Sequence, residues 1–359
     1  MDDLPVLVLD GGLGTSLEDK YGVRFDATTP LWSSHLLLTD AGRETLLACQ
    51  RDFAQVPVDL LLTPTYQISI EGLARTRTTR FPVGVGVHAA PGILEHALAT
   101  SEAAVTSHGA RIALSLGPYG ACMVPSQEYT GFYDVGHDSI EQLKAWHLDR
   151  IQLFTRVTGL ANRVSFLAFE TVPRLDEIIA IRRALDESDL LESNPELRVW
   201  ISCVFPGEAI ALPDGSDVAA VVGAMLNREL AISIPWGLGI NCTKIGKLGA
   251  VVKAYEAALP PAPENAPDLR DSRPRLVIYP DGTNGEVYNT TTKTWEAPPE
   301  SLSTPRSPWE VQLAGIVAET SNRGRWKQIL VGGCCKTTHG DLERLCRQLE
   351  TEGLRQSNS

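Results

Sequence analysis

The segment Gln328-Ile-Leu-Val-Gly-Gly-Cys-Cys335 decides how the rest of the chain is interpreted. It starts as an uninterrupted apolar run with β-branched residues and ends abruptly at two glycines. This pattern is typical of a parallel strand that is buried on both faces. Seven further apolar runs of the same kind precede it, at residues 6–10, 59–65, 111–117, 164–171, 198–205, 237–243 and 276–281.

Segments with helical periodicity lie between most of these runs. Ser139-Ile-Glu-Gln142 is a capping box ahead of a long amphipathic stretch that stops at Gly159. Other helices are predicted to begin near polar residues or prolines, at positions 39, 91, 174, 216, 244, 308 and 341. Eight strands that alternate with helices predict an α/β fold of one domain, a closed (β/α)8 TIM barrel. A doubly wound open sheet is the alternative, although no Gly-x-Gly-x-x-Gly motif follows any of the strands.

The predicted domain covers residues 1–353. Two Pro-rich stretches, 259–274 and 298–308, are interpreted as solvated insertions, since neither separates two segments that could each bury a core. Residues 354–359 are predicted to form a disordered tail.

Composition and charge restrict the partners. The formal net charge of −12 at pH 7, without any basic tract, disfavours binding to a phosphate backbone, so we expect small-molecule substrates and no nucleic acid. The N-terminus lacks the basic flank and cleavage site of a secretory signal. No segment approaches the roughly 18 consecutive apolar residues of a membrane span. These features predict a soluble, cytoplasmic protein that does not bind membranes, and they say nothing about its oligomeric state.

Seven cysteines occur in the chain, an odd number without the spacing of a small secreted domain. We therefore expect reduced thiols. Cys242 ends the sixth predicted strand, and Cys334 and Cys335 end the eighth. Because these strands flank the seventh in a barrel, their ends should bring all three sulfurs to one ion. Cys49, Cys122, Cys203 and Cys346 are interpreted as buried apolar thiols.

Three cysteine ligands leave one position of a tetrahedral zinc ion open, as in catalytic rather than structural sites. A thiol substrate in that position would lose its proton, because the metal stabilises the thiolate. The negative charge of the site should also attract a cationic methyl donor. The sequence therefore predicts one zinc ion per chain and methyl transfer from a sulfonium or quaternary ammonium group to a thiol.

Three other interpretations are open at this point. The cysteines could be ordinary core residues, because the adjacent pair lacks Cys-x-x-Cys spacing. A zinc hydrolase or lyase would hold water in the open position, but such sites usually contain His and carboxylate ligands. A non-enzymatic thiol sensor would oxidise Cys334 and Cys335 instead of binding metal with them.

The chain also resembles the homocysteine S-methyltransferase family in a series of motifs that span nearly its whole length. The resemblance implies a barrel, a catalytic zinc ion held by the three cysteines, homocysteine as acceptor and methionine as product. The motifs are Asp10-Gly-Gly-Leu-Gly-Thr-Ser-Leu-Glu18, Thr63-Pro-Thr-Tyr-Gln67, Ser115-Leu-Gly-Pro-Tyr-Gly120, Glu128-Tyr-Thr-Gly131, Phe169-Glu-Thr-Val-Pro173, Gly239-Ile-Asn-Cys-Thr243 and Gly332-Gly-Cys-Cys-Lys-Thr-Thr338.

Two of these motifs bear on the methyl donor. The Glu128–Gly131 segment and the loop that starts at Gly117 are more similar to family members that use S-methylmethionine or S-adenosylmethionine than to those that use betaine. We therefore expect a sulfonium donor. A betaine-type donor on the same fold is the alternative.

The resemblance also suggests substrate-binding residues. Glu170 matches the carboxylate that holds the homocysteine amino group, and Asp10 matches a second acidic partner. Asn241 stands next to a predicted ligand and could orient it.

Two further groups of residues are candidates for contacts with the substrates. Gly11 and Gly12 could offer backbone amides to the substrate in a tight turn. Trp32, Tyr66 and Tyr119 could face the cationic donor, where an aromatic ring contributes about 0.5 to 2 kcal/mol.

Overall fold

Eight parallel strands form the centre of the fold, and each coincides with one of the apolar runs identified in the sequence to within one residue at its ends or lies inside it. The computed structural model describes residues 6–26, 29–107, 109–261, 273–283, 286–289, 294–296 and 307–356. The strands are β1 (Val6–Val8), β2 (Leu60–Leu62), β3 (Arg111–Leu116), β4 (Phe166–Val172), β5 (Arg198–Cys203), β6 (Gly237–Lys244), β7 (Arg275–Asp281), β8 (Val287–Asn289), β9 (Thr294–Glu296) and β10 (Ile329–Val331), of which β8 and β9 stand outside the central sheet.

The central sheet closes on itself. Its strand order is β1-β10-β7-β6-β5-β4-β3-β2, and every pairing is parallel. A bridge between Leu9 and Leu60 joins the two ends, and the Asp10 amide donates to the Leu60 carbonyl over 3.1 Å. The predicted (β/α)8 barrel is therefore confirmed. The doubly wound alternative is wrong, because an open sheet would leave β1 and β2 as unpaired edges.

Helices follow the strands as the βα repeat requires, and several begin at the side chains predicted to cap them. The side chains of Thr39 and Ser139 accept hydrogen bonds from the first turns of α2 and α5. Among the described residues no helix has both the length and the apolar character needed to cross a bilayer. The helices are α1 (Leu13–Asp19), α2 (Asp40–Ala54), α3 (Ile70–Arg75), α4 (Ala90–Val105), α5 (Ile140–Thr155), α6 (Leu160–Arg163), α7 (Leu175–Glu187), α8 (Leu190–Ser193), α9 (Val218–Leu226), α10 (Ile245–Ala258), α11 (Trp309–Arg323) and α12 (His339–Thr351), with short 3₁₀ helices at Trp32–Leu38 and Tyr119–Cys122.

Apolar side chains fill the inside of the barrel, so that it is a packed core below the mouth. Trp200 is fully buried there, and its indole N–H lies 3.3 Å from the Tyr279 hydroxyl. A larger apolar layer packs between the strands and the surrounding helices. The interior residues are Leu7, Leu9, Leu60, Ala113, Phe166, Ala168, Trp200, Val277, Tyr279 and Leu330.

Two features of the fold differ from the sequence-based expectations. An antiparallel hairpin of β8 and β9 follows β7, where no strands were predicted. In the predicted tail, Arg355 is 6% exposed and its guanidinium lies 2.6 Å from Asp59 Oδ2. That ion pair, together with the bond from the Leu354 amide to the Leu349 carbonyl, holds residues 354 and 355 against the barrel. Most of the predicted 259–274 insertion, residues 262–272, lies outside the described residues, and so do residues 357–359.

Replacing Trp200 by alanine should lower the free energy of unfolding by about 3 to 5 kcal/mol, because it leaves a cavity in the barrel interior. Urea unfolding of the two proteins measures the difference. Val83, which is 88% exposed, provides the control, and its change to alanine should cost less than about 0.5 kcal/mol. Equal effects of the two substitutions would contradict the packed interior.

Candidate active site

A cavity of about 150 Å³ opens at the carboxyl ends of the strands. Residues from the ends of β1, β2, β3, β4, β6, β7 and β10, and from the loops after them, line it. The strands of a parallel barrel all run in the same direction, so their last residues converge on this one mouth. The cavity is therefore where the sequence places the chemistry.

Cys242, Cys334 and Cys335 all line this cavity, and their Sγ atoms lie within 4.8 Å of one another. Cys242 comes from β6, and the adjacent pair follows β10. Two sulfurs that each lie about 2.3 Å from one tetrahedral zinc ion are about 3.8 Å apart. The three sulfurs fit such an ion with shifts of about 1 Å or less, and three soft sulfur donors suit zinc.

Cys242 and Cys334 are joined by a disulfide in the structure, with their Cα atoms 5.5 Å apart. The expectation of reduced thiols throughout therefore does not describe this pair. The reason lies in the geometry, because a site that gathers sulfurs for an ion also brings two of them within bonding reach. Cys335 stays a free thiol, so the bonded pair is not the adjacent one that the sensor interpretation named. Binding of an ion by all three sulfurs requires reduction of this disulfide.

The backbone around the cysteines is strained. Cys242 has φ of 45° and lies where the register between β6 and β7 shifts, between Asn241 and Lys244. A positive φ is uncommon for residues other than glycine, and such strain concentrates at functional sites. In the described part of the chain five non-glycine residues have positive φ. Four of them lie in or beside the cavity, namely Trp32, Thr171, Cys242 and Lys336. The bulge in β6 turns the Cys242 side chain towards the other sulfurs.

Asn241 holds this bulge in place. It is 1% exposed, its Oδ1 accepts from the Thr171 amide over 2.8 Å, and its Nδ2 donates to the Thr171 hydroxyl over 2.8 Å. The same Nδ2 lies 4.0 Å from the Cys334 sulfur. These contacts connect β4 to β6 and place Asn241 directly beneath the cysteines.

The glycines of the site are needed for close packing. A Cβ atom on Gly332 would lie 2.7 Å from the Leu9 side chain, and one on Gly11 would lie 2.7 Å from the Thr337 carbonyl. The Gly12 amide already donates to that same carbonyl over 2.9 Å. Gly11 and Gly12 line the cavity. The Gly12 amide is occupied by the Thr337 carbonyl, and the glycines allow the segment after β1 to approach the cysteine loop.

The two predicted substrate carboxylates lie close together. Glu170 lines the cavity, is 5% exposed and accepts from the Ser115 hydroxyl. Burial raises its pKa to about 7, although hydrogen bonds from Ser115 and Tyr279 lower it. Asp10 is 2% exposed beside the cavity, and its Oδ2 accepts from the Leu62 amide while Oδ1 has no partner among the described residues. Burial, together with the charge of Glu170, raises the pKa of Asp10 well above its usual range.

The three predicted donor-binding aromatic residues separate into two groups. Trp32 and Tyr66 line the cavity, with their ring centroids 6.3 Å apart in an edge-to-face arrangement. Tyr119 does not line it. Its ring is stacked on His137 with centroids 4.0 Å apart, and its hydroxyl donates to Asp134. Tyr119 therefore lies in the loop after β3 and packs against His137 and Asp134 instead of lining the cavity.

Sequence reasoning did not single out Glu128, Tyr129 and Tyr279, which line the cavity. The Tyr129 hydroxyl lowers the pKa of Cys335, and the Tyr279 hydroxyl lowers that of Glu170, although burial raises both pKa values overall. Glu128 and Tyr129 belong to the Glu-Tyr-Thr-Gly motif, so the sequence contained a signal for them. Only the folded loop shows that both side chains point into the mouth of the barrel.

Comparisons with known proteins bear on this site. The homocysteine S-methyltransferase family model matches residues 7–349. A homocysteine S-methyltransferase from Bacillus subtilis is 27% identical over 98% of this chain and 98% of its own. A homocysteine S-methyltransferase from Escherichia coli is 28% identical over 96% of this chain and 96% of its own. Betaine-homocysteine S-methyltransferase from Drosophila melanogaster is 27% identical over 95% of this chain and 93% of its own.

Solved structures support the same fold. The oxidised form of the homocysteine methyltransferase MmuM from Escherichia coli is similar with a TM-score of 0.66, 24% identity and coverage of 96% of both chains. The metallated form of MmuM matches with a TM-score of 0.66, 23% identity and the same coverage.

Glu170 should make stability depend on pH. Its folded pKa of about 7 exceeds the ordinary value of 4.5, so the folded state keeps a proton that the unfolded state releases. The contribution of protonated Glu170 to the free energy of unfolding is complete below pH 4.5. It is lost as the pH rises through 7, and the free energy of unfolding falls by up to about 1.4 kcal/mol per pH unit in this range. Glu170→Gln should therefore gain stability relative to the parent protein between pH 5 and pH 7.5. Urea unfolding across this range measures the gain, and parallel pH profiles would contradict the raised pKa.

Proposed function

Since the chain belongs to the homocysteine S-methyltransferase family, we propose that its methyl donor is a sulfonium compound, S-methylmethionine or S-adenosylmethionine, and that a zinc ion activates homocysteine. Methyl transfer to homocysteine itself follows from the family. The family also removes the support for a zinc hydrolase or a non-enzymatic thiol sensor. The observation that carries the zinc proposal is the convergence of three sulfurs from β6 and β10 within 4.8 Å.

Cys242, Cys334 and Cys335 would hold the ion through their sulfurs once the disulfide is reduced. The bound zinc would supply the stabilisation that converts the homocysteine thiol into a thiolate at neutral pH. A metallated form of MmuM is consistent with a metal site in the family. A cytoplasmic location belongs to the same proposal, because a reducing compartment keeps Cys242 and Cys334 available as separate ligands.

Glu170 and Asp10 are proposed to bind the homocysteine ammonium group. Both are buried carboxylates whose pKa values are raised, so a cation beside them would relieve an unfavourable charge. Asp10 Oδ1 has no partner among the described residues and can accept a further hydrogen bond. Asn241 would hold the β6 bulge through its two bonds to Thr171, and so keep the Cys242 sulfur in place.

The aromatic wall of the cavity suits a cationic donor. Trp32 and Tyr66 present rings to the cavity, and such rings attract sulfonium or quaternary ammonium groups. The methyl carbon would form a bond to the homocysteine sulfur while its bond to the donor sulfur breaks. The bonding pair stays on the donor sulfur, which becomes a neutral thioether, and the homocysteine proton is released. The protein contributes alignment and exclusion of water.

Replacing Cys242 by alanine should abolish zinc binding and methionine formation together. We expect bound zinc to fall from one per chain to near zero, and activity to fall by more than about 100-fold, because loss of a ligand should exceed the roughly 10- to 100-fold effect of losing a ligand's partner. Metal analysis of reduced protein and a methionine assay measure both. Cys49→Ala, at a buried thiol on α2, should keep its zinc. Retention of zinc and activity in Cys242→Ala would refute the proposed site.

The donor is tested by offering S-methylmethionine, S-adenosylmethionine and betaine separately with homocysteine. At least one sulfonium compound should give a kcat/KM at least about tenfold above that of betaine, which corresponds to about 1.4 kcal/mol of transition-state discrimination. Methionine formation measures each reaction. Activity with betaine alone would overturn the sulfonium donor and leave the family assignment intact.

A further inference from the structure

Glu128 is a buried carboxylate in the cavity wall without an adequate partner. It lies in the loop between β3 and α5, lines the cavity and is only 7% exposed. Its Oε2 atom is buried and receives no hydrogen bond from the described residues. A buried carboxylate oxygen without a donor is costly, so its presence in a binding cavity indicates that a ligand completes it.

The surroundings of Glu128 leave its charge uncompensated. Burial raises its pKa to about 7, and the hydrogen bonds from its own backbone and from Ser126 only partly oppose this. No cationic side chain of the described chain is among the groups that shift this pKa. Glu170 differs, because Ser115 and Tyr279 both donate to it. Glu128 therefore needs an N–H donor that carries positive charge.

Glu128 lines the same cavity as Tyr66, Tyr129 and Cys335. Its negative charge raises the pKa of each of these three groups. Tyr66 belongs to the aromatic wall proposed for the cationic donor. A donor whose sulfonium group faces this wall would have the rest of its chain within reach of Glu128.

The chemistry of the missing partner distinguishes between donors. A sulfonium or quaternary ammonium centre has no N–H and cannot donate a hydrogen bond to Oε2, whereas an α-ammonium group has three donors. Sulfonium amino acids carry both groups, and betaine carries only the trimethylated nitrogen. We propose that Glu128 binds the α-ammonium group of a sulfonium amino acid and so selects this class of donor over trimethylammonium compounds. This inference rests on the sulfonium donor proposed above.

The two amino acids of the reaction then each have their own acidic partner. Asp10 and Glu170 hold the ammonium group of homocysteine, and Glu128 holds that of the donor. The division explains why the carboxylates come from separate segments of the chain: Asp10 follows β1, Glu170 lies in β4, and Glu128 lies in the loop between β3 and α5. Glu128 acts as a specificity-determining residue, because it contacts the donor away from the bond that breaks.

The test compares two donors that differ only in the α-ammonium group, S-methylmethionine and (3-carboxypropyl)dimethylsulfonium. In the parent enzyme S-methylmethionine should have a kcat/KM roughly 10- to 1000-fold higher, as expected for a charged hydrogen bond made in a buried site. Glu128→Gln should lose this factor with S-methylmethionine and change less than about twofold with the other donor. Calorimetric titration of each donor into the zinc-loaded protein without homocysteine should show the same contrast in Kd.

Glu44→Gln is the matched control, because Glu44 is an exposed carboxylate on α2, and it should leave both donors unaffected. If Glu128→Gln lost kcat/KM equally with both donors, or with neither, the assignment of Glu128 would be overturned. The proposed sulfonium donor would still stand, because it rests on the activity of the parent enzyme. If the variant does not fold, the parent enzyme still decides, since equal use of the two donors would refute an ammonium contact. A parent enzyme that uses only betaine would overturn both this inference and the proposed donor.

Discussion

The parallel closure of the barrel is the constraint on which the site depends. Cys242 and Cys334 are 92 residues apart in the chain, yet β6 and β10 both pair with β7 and end at the same mouth. Three sulfurs therefore meet within 4.8 Å without any local sequence motif that joins them. If β6 or β10 stood one position further from β7 in the strand order, the three sulfurs would no longer meet. The metal chemistry proposed for this enzyme therefore depends on the topology as much as on the cysteines.

Holding the sulfurs in this arrangement requires strain and close packing. The backbone at Cys242 and at Thr171 adopts positive φ, and Asn241 bonds across from one strained segment to the other. Gly332 lets the last strand approach β1 where a side chain would collide with Leu9. Strained segments persist only when their surroundings determine them, and here the rigid barrel does so. The same closeness that suits an ion also brings the sulfurs of Cys242 and Cys334 within bonding distance of each other.

Electrostatics complete the site. Asp10, Glu128 and Glu170 are all buried in or beside the cavity, and burial raises the pKa of each. Buried carboxylates are unfavourable in the protein alone and become favourable when cations bind beside them. An acceptor and a donor that each carry positive charge would compensate them, so the acidity of the cavity is consistent with methyl transfer between two amino acids. Binding and specificity would then come from the same carboxylates.

The sequence by itself determined the eight strands, most helix starts and the three cysteines, because buried parallel strands and helix caps are local patterns with strong physical signals. It also contained the family motifs that name Asp10 and Glu170. The tertiary structure alone decided which aromatic residues face the cavity: Tyr119 packs against His137, and Tyr129, ten residues later, lines the mouth. It likewise revealed that Glu128 Oε2 has no hydrogen-bond partner among the described residues, and that Arg355 pairs with Asp59. These outcomes depend on how loops fold against distant strands, and no local periodicity encodes the direction of a loop side chain.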